Sequence, residues 1–598
     1  MAMLRLTAAE ATIRYLAAQM TEIEGQVVPL FGGVFAIFGH GNVAGLGPAL
    51  HAHRRALPTH RAHNEQAMAL AAIAYAKTHA RRRMMACTTS IGPGATNMVT
   101  AAAVAHVNRL PLLLLPGDVF ATRRPDPVLQ QIEAFGDATI SANDCFRPVS
   151  RYFDRITRPE QLLAALPAAL RVLTDPAECG PATLALPQDV QAEIGEFPAE
   201  FFRKRLHRIR APEPDAQELR DAVAALRGAQ RPLIIAGGGV KYAGAEAALA
   251  AFAQRHGVPV AETQAGKGAL PWDHPRNAGA IGVTGSAAAN ALAEKADLIL
   301  AIGTRLQDFT TGSRRLFGSA QLLALNVAGF DAAKHNAQPL LADAKAGLAA
   351  LTSGLGRWAA PRAWQEKAVT ATARWHRSVE RITAAPKPKS TGLPSDAQVL
   401  GAVNRALPAQ GIVVAAAGGL PGELHKLWRA TDGASYHLEY GYSCMGYEIS
   451  GGLGAKLAAP DREVVVLVGD GSYLMMNSEI ATSVAMGLRL TIVVVDNRGF
   501  GCIDRLQGAT TGLSFNNLLA NAAPRVDFAA HAKSLGAQAE KLDSIAGLEA
   551  ALPRAFAAKR TTVLVIDTDP KISTAEGGAW WDVPSAPRTA PRAATKGT

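Results

Sequence analysis

The chain has 598 residues, 48% hydrophobic and 19% charged, which excludes a largely disordered protein and implies two to four domains, each with its own core. A net charge of +11 suits an anionic substrate or cofactor, but Lys and Arg are spread along the chain in short runs such as Arg81-Arg82-Arg83, and no nucleic-acid reading motif accompanies them. Five cysteines, an odd number without CxxC spacing, point away from a disulfide framework or a zinc site, so a reducing cytoplasm is expected.

Thr7 and Glu10 have capping-box spacing, which predicts a helix beginning near Thr7. The opening residues lack a signal-peptide layout, and the longest apolar stretch in a strand context, 110–116, is too short to span a bilayer. Apolar runs at 84–88, 112–115 and 183–186, bounded by Gly or Pro and separated by Ala-rich helical stretches, predict a parallel sheet covered by helices. After a polar stretch at 211–214, a second set follows at 233–236, 258–261, 298–302 and 322–326. Gly237-Gly238-Gly239 and Gly303-Thr304-Arg305 follow strands of that set; without a full dinucleotide fingerprint they read as turns, and no flavin is expected. A Pro/Lys/Ser-rich linker at 386–395 leads to a third set at 412–415, 464–468, 492–495 and 563–566. The expected architecture is α/β, with three doubly wound parallel-sheet domains over 1–205, 212–380 and 396–585. The Pro- and Arg-rich tail after Trp581 is expected to be loosely ordered at its end.

The run 464–468 leads directly into Gly469-Asp470-Gly471-Ser472, and the run 491–495 into Asp496-Asn497-Arg498-Gly499. In open parallel sheets ligands bind at the carboxyl ends of strands, where glycines let the backbone approach phosphate, so two such turns at one sheet edge suit a diphosphate and its metal. Magnesium takes a few hard oxygen ligands, and Asp470, Asn497 and the carbonyl of Gly499 can supply them. The first turn alone fits any capped helix; the second turn favours the metal.

Asn497 stands 27 positions after Asp470 with a glycine two further on, and this spacing resembles the thiamine-diphosphate signature of the pyruvate-oxidase and acetolactate-synthase superfamily. The resemblance assigns Asp470, Asn497 and Gly499 to magnesium, and Gly469, Asp470, Gly471, Ser472 and Asn497 to the cofactor. The stretch from Thr89-Ser90-Ile91-Gly92-Pro93-Gly94 through Asn97 resembles the pyrimidine-binding domain of the same enzymes, in which Glu65 falls at the position of a glutamate. A carboxylate bonded to the aminopyrimidine favours the tautomer that removes the thiazolium proton. Ser443-Cys444-Met445-Gly446-Tyr447 resembles the stretch whose apolar residue, here Met445, bends the cofactor. The family builds its site from two subunits, which implies a homodimer or homotetramer.

The run from Phe35-Ala36-Ile37-Phe38-Gly39-His40-Gly41-Asn42 to Gly47, with Met85 to Ser90, 112–123, Asp126 to Gln131 and Trp580-Trp581-Asp582-Val583-Pro584, is similar to the trihydroxycyclohexanedione hydrolases of myo-inositol catabolism. These open 3D-(3,5/4)-trihydroxycyclohexane-1,2-dione to 5-deoxy-glucuronate, a step that needs a base for water and an acid for carbon. His40 and His63 are the candidates for those proton transfers; ranked below them, Gln131 falls where related enzymes place a polar active-site residue, and Asn42 is a candidate to bond a substrate hydroxyl. An acetolactate-synthase-like carboligase is the rival enzyme, against which the Gly39-His40-Gly41-Asn42 loop argues. A non-catalytic nucleotide-binding scaffold is the rival of another class, against which Glu65, Asp470 and Asn497 argue.

Overall fold

A computed structural model describes residues 2–125, 128–318, 320–386, 392–519 and 524–585. Asp126, Pro127, residues 387–391 of the expected linker and the tail from 586 lie outside the described residues. Three six-stranded parallel sheets follow one another along the chain, interleaved with helices. Across the first the strands run Thr59–Arg61, Phe31–Ala36, Met84–Thr89, Leu112–Asp118, Pro181–Pro187 and Tyr152–Arg155. Across the second they run Asn277–Ala280, Val260–Glu262, Pro232–Ala236, Leu298–Ile302, Gln321–Asn326 and Gln338–Leu341. The third runs Tyr436–Leu438, Ile412–Ala415, Val464–Gly469, Thr491–Asp496, Thr562–Asp567 and Gln538–Leu542. In each the strand order reverses next to the first strand, which creates a crevice at the carboxyl ends.

Most inner strands are the continuous apolar runs expected of sheets buried on both faces, such as the fully buried Leu112–Asp118, whereas Phe31–Ala36, Met84–Thr89 and Val260–Glu262 are inner strands of more mixed composition. The sheet edges are Thr59–Arg61, Tyr152–Arg155, Asn277–Ala280, Gln338–Leu341, Tyr436–Leu438 and Gln538–Leu542, none of which is marked by an apolar run. An edge strand pairs on one side only and tolerates polar residues, so it leaves no apolar signal. At the start of the chain the helix is Ala8–Ala17, with the Thr7 side chain accepting from the Glu10 amide at 3.1 Å. A strand, Met3–Thr7, precedes it and pairs antiparallel with Ile194–Pro198. The glycines of the central sheet are explained by close packing: a side chain at Gly239 would strike the backbone of Gly303 at 2.6 Å.

The first and third sheets share one apolar core, whereas the central domain has its own. The join is made by helix Glu65–Thr78, whose residues 67–76 are all buried, packed between its sheet and helix Tyr447–Ala458. Alanines on the first helix and glycines on the second let the backbones approach, and a Cβ at Gly454 would overlap the carbonyl oxygen of Ala71. At the far end Lys77 pairs with Glu439 at 2.6 Å, both side chains buried. No helix among the described residues is long and apolar enough to cross a membrane.

Gly454→Val should therefore force the two helices apart at a cost of roughly 2 kcal/mol or more. Thermal unfolding should show a drop in Tm of several degrees; an unchanged Tm contradicts the packing described.

Candidate functional site

The first crevice lies between strands Phe31–Ala36 and Met84–Thr89. Loops leaving their carboxyl ends wall a cavity of about 720 Å³ into which His40, Glu65, Ser90, Thr96, Asn97 and Gln130 face. The His40 loop is pinned from within. Asn42 accepts from the Gly39 amide at 3.0 Å and donates to the Ile37 carbonyl and Thr88 Oγ1, each at 3.2 Å. Asn42 is buried, so its amide group is committed to the loop rather than offered to a substrate hydroxyl. Ser90 Oγ accepts from the Gly41 amide at 3.1 Å, tying that loop to the next.

Glu65 is the first residue of its helix because Asn64 caps it, accepting from the Ala67 amide at 3.0 Å. There the helix dipole favours a carboxylate. Asn97 Nδ2 donates to Glu65 Oε2 at 2.9 Å. A Cβ at residue 94 would stand 3.0 Å from Glu65 Oε1, so Gly94 lets its loop close on the carboxylate.

The second half of the site lies at the carboxyl edge of the third sheet. Asp470 follows strand Val464–Gly469, and Asn497 follows the adjacent Thr491–Asp496. The Oδ1 atoms of both are buried and have no hydrogen-bond partner among the described residues. Burial, then the nearby Asp496, pushes the Asp470 carboxyl up to about 7, against the opposing pull of the amides of Gly499, Asn497 and Gly471. Two unpartnered buried oxygens on neighbouring turns are costly alone and are satisfied by a cation, and hard oxygen donors of this type fit magnesium. Gly499, at φ 137°, packs so that any side chain would overlap the Asn517 carbonyl. Among the described residues, none beyond its two chain neighbours comes within 4 Å of the position a Cβ at Gly469 would take, which leaves room for a phosphate group beside the turn.

Met445 is half-buried and tied to this loop. The Gly446 amide donates to Ser472 Oγ at 2.8 Å and to Glu448 Oε2 at 3.0 Å, while Ser472 Oγ donates to Glu448 Oε2 at 2.7 Å. A buried carboxylate thus joins the Met445 turn to Gly469-Asp470-Gly471-Ser472, although nothing in the sequence pattern singled out Glu448.

His63 and Gln131 are placed elsewhere. The chain turns His63 toward the C-terminal domain, where its amide donates to Glu479 Oε1 at 3.2 Å and its Nδ1 lies 2.8 Å from Thr482 Oγ1. Gln131 accepts from the Ala142 amide at 3.3 Å and does not face the cavity. Its neighbour Gln130 does, with Oε1 2.9 Å from His40 Nε2. Two adjacent glutamines differ here only in backbone conformation, Gln130 being left-handed at φ 65°, and sequence alone carries no signal of that.

Comparison with known proteins matches residues 32–137, 219–351 and 416–566 to the N-terminal TPP binding, central and C-terminal TPP binding domains of thiamine pyrophosphate enzymes. A 3D-(3,5/4)-trihydroxycyclohexane-1,2-dione hydrolase of Geobacillus thermodenitrificans is 46% identical over 98% of this chain and 96% of its own length. Proteins of the same name from Clostridium tetani and Clostridium perfringens are each 43% identical over 97% of the chain, covering 95% and 96% of their own lengths.

Asp470→Ala removes one of the two unpartnered oxygens and should weaken binding of magnesium and thiamine diphosphate by roughly thirtyfold or more in calorimetry. Unchanged affinity contradicts the metal assignment.

Proposed function

The chain belongs to the family of 3D-(3,5/4)-trihydroxycyclohexane-1,2-dione hydrolases among the thiamine pyrophosphate enzymes, and from that premise we propose how its residues open the ring. The reaction is hydrolysis of the carbon–carbon bond between the two carbonyls of the dione, giving 5-deoxy-glucuronate, with thiamine diphosphate and magnesium as cofactors. The observation that carries the reading is the pair of unpartnered oxygens on Asp470 and Asn497, in a chain that also holds Glu65 at the wall of a polar cavity.

Asp470, Asn497 and the Gly499 carbonyl would hold magnesium, Gly469 to Ser472 the diphosphate, and Met445 the bend between the two rings. Thiamine diphosphate, when bound, supplies a nucleophilic carbon and a sink for the electrons of the broken bond. Glu65, at the wall of the cavity, would bind the aminopyrimidine and hold the proton exchanged with it. Asn97, which donates to Glu65 Oε2, keeps that carboxyl oriented. His40 takes the proton of the water that attacks the second carbonyl and is the group able to return it to carbon. One water is consumed, the ring carbons separate as acid and aldehyde, and no external oxidant is needed. The polar side chains of Ser90, Thr96 and Asn97 around the cavity suit a substrate bearing hydroxyl groups.

The cavity that holds Glu65 is walled by residues of the N-terminal domain alone. This supports a homodimer or homotetramer in which a second chain brings its Asp470 turn to complete the site. The five unpaired cysteines support a cytoplasmic location.

The test is turnover of the dione by the purified protein, with magnesium and thiamine diphosphate supplied together or withheld, following 5-deoxy-glucuronate. Acid formation only with both cofactors is expected; acetolactate from pyruvate with no action on the dione would make the chain a carboligase instead. Glu65→Gln should lower turnover by roughly a thousandfold with cofactor affinity changed only a few-fold. Full activity in that variant removes Glu65 from its role.

A further inference from the structure

Gln130 stands in an unusual place. The turn 128–131 is closed by the Gln131 amide donating to the Val128 carbonyl at 3.2 Å, and Gln130 within it is left-handed at φ 65°, a conformation that costs a residue with a Cβ. The turn rests directly on Gly92, whose missing Cβ would coincide with the Gln130 carbonyl oxygen. Gly92 is itself left-handed at φ 69°, so two uncommon backbone conformations are fitted to one another. Strain of this kind persists where the surroundings over-determine it. Its result here is that the Gln130 side chain reaches into the cavity and meets His40, with Oε1 2.9 Å from Nε2. The other ring nitrogen, Nδ1, has only a long 3.4 Å approach to Gln188 Oε1.

We propose that Gln130 is the positioning residue for His40: its amide carbonyl fixes the imidazole proton on Nε2 and leaves Nδ1 as the nitrogen that accepts a proton. The hydrogen bond made by one ring nitrogen sets the state of the other. A fixed carbonyl oxygen also steadies the imidazolium that forms when Nδ1 is protonated, as an orienting acceptor does for any histidine base. The inference rests on the ring-opening reaction proposed above and adds to it the group that makes His40 a base of defined geometry. Glu65 is the titratable group facing His40 across the cavity. The carboxylate of Asp189, beside Gln188, is turned away to the amides of Ala121 at 2.9 Å and Thr122 at 3.1 Å.

The experiment compares Gln130→Ala, Gln130→Glu and Gln131→Ala by steady-state kinetics across pH and by NMR of histidine-labelled protein, the His40 signals being assigned with His40→Gln. Gln130→Ala should lower kcat for the dione roughly ten- to hundredfold with KM within about threefold, and should abolish the single tautomer in the His40 ring spectrum. Gln130→Glu keeps the acceptor and adds a negative charge that favours the imidazolium. It should restore much of kcat while moving the acidic limb of the pH profile, and the titration of His40, up by about one pH unit relative to the parent protein. Wild-type kcat and an unmoved His40 spectrum in Gln130→Ala overturn the proposal, as does a limb that moves in Gln131→Ala instead. If the parent protein does not act on the dione, the ring-opening reading falls, and the NMR comparison still decides whether Gln130 sets the state of His40.

Discussion

Gly454 of one helix lies against the carbonyl of Ala71 of another, and that backbone contact fixes where Glu65 can stand. Helix Glu65–Thr78 has no solvent face through its middle, so it cannot slide or rotate without opening the core shared by the first and third sheets. It is held at three heights: by His63 on Glu479 and Thr482 at its start, by Ala71 on Gly454 in the middle, and by Lys77 on Glu439 at its end. A buried ion pair contributes little net stability, but leaving one partner alone is strongly unfavourable, so Lys77 and Glu439 act mainly to forbid other registers. The Glu65 carboxylate thus inherits its position from the packing of two domains.

The same division of labour recurs at the turns that carry Asp470 and Asn497. Parallel strands deliver Asp470 and Asn497 to one edge with their outer oxygens unpaired, and Glu448 with Ser472 locks the neighbouring Met445 turn. Asp470, raised by burial and by Asp496, is held in a state that a divalent cation relieves. In the N-terminal domain, by contrast, Asn42 pins the His40 loop, Asn64 caps the Glu65 helix and Asn97 donates to Glu65.

Much of this was legible in the sequence because it rests on long-lived local patterns. Continuous apolar runs marked the inner strands, and the two turns after 464–468 and 491–495 were visible as Gly/Asp/Asn punctuation. The six edge strands were not, since pairing on one side imposes no apolar run. Of the residues singled out by motif, Glu65 and His40 face one cavity and Gly469 to Ser472 form the turn after strand Val464–Gly469. His63 and Gln131 illustrate what motifs lack: which way a side chain leaves the backbone. One residue of shift, from Gln131 to Gln130, was decided by a left-handed φ resting on Gly92, a contact between segments 38 positions apart.

The central claim is that Glu65 of one chain and Asp470 of another work as a single site. It is tested most directly by mixing Glu65→Gln with Asp470→Ala, each nearly inactive alone, under conditions that exchange subunits. A mixed dimer pairs one intact carboxylate with one intact metal turn, so up to about a quarter of the parent activity should return. If subunits exchange and no activity returns, the two groups serve the same chain and the proposed inter-subunit site is contradicted.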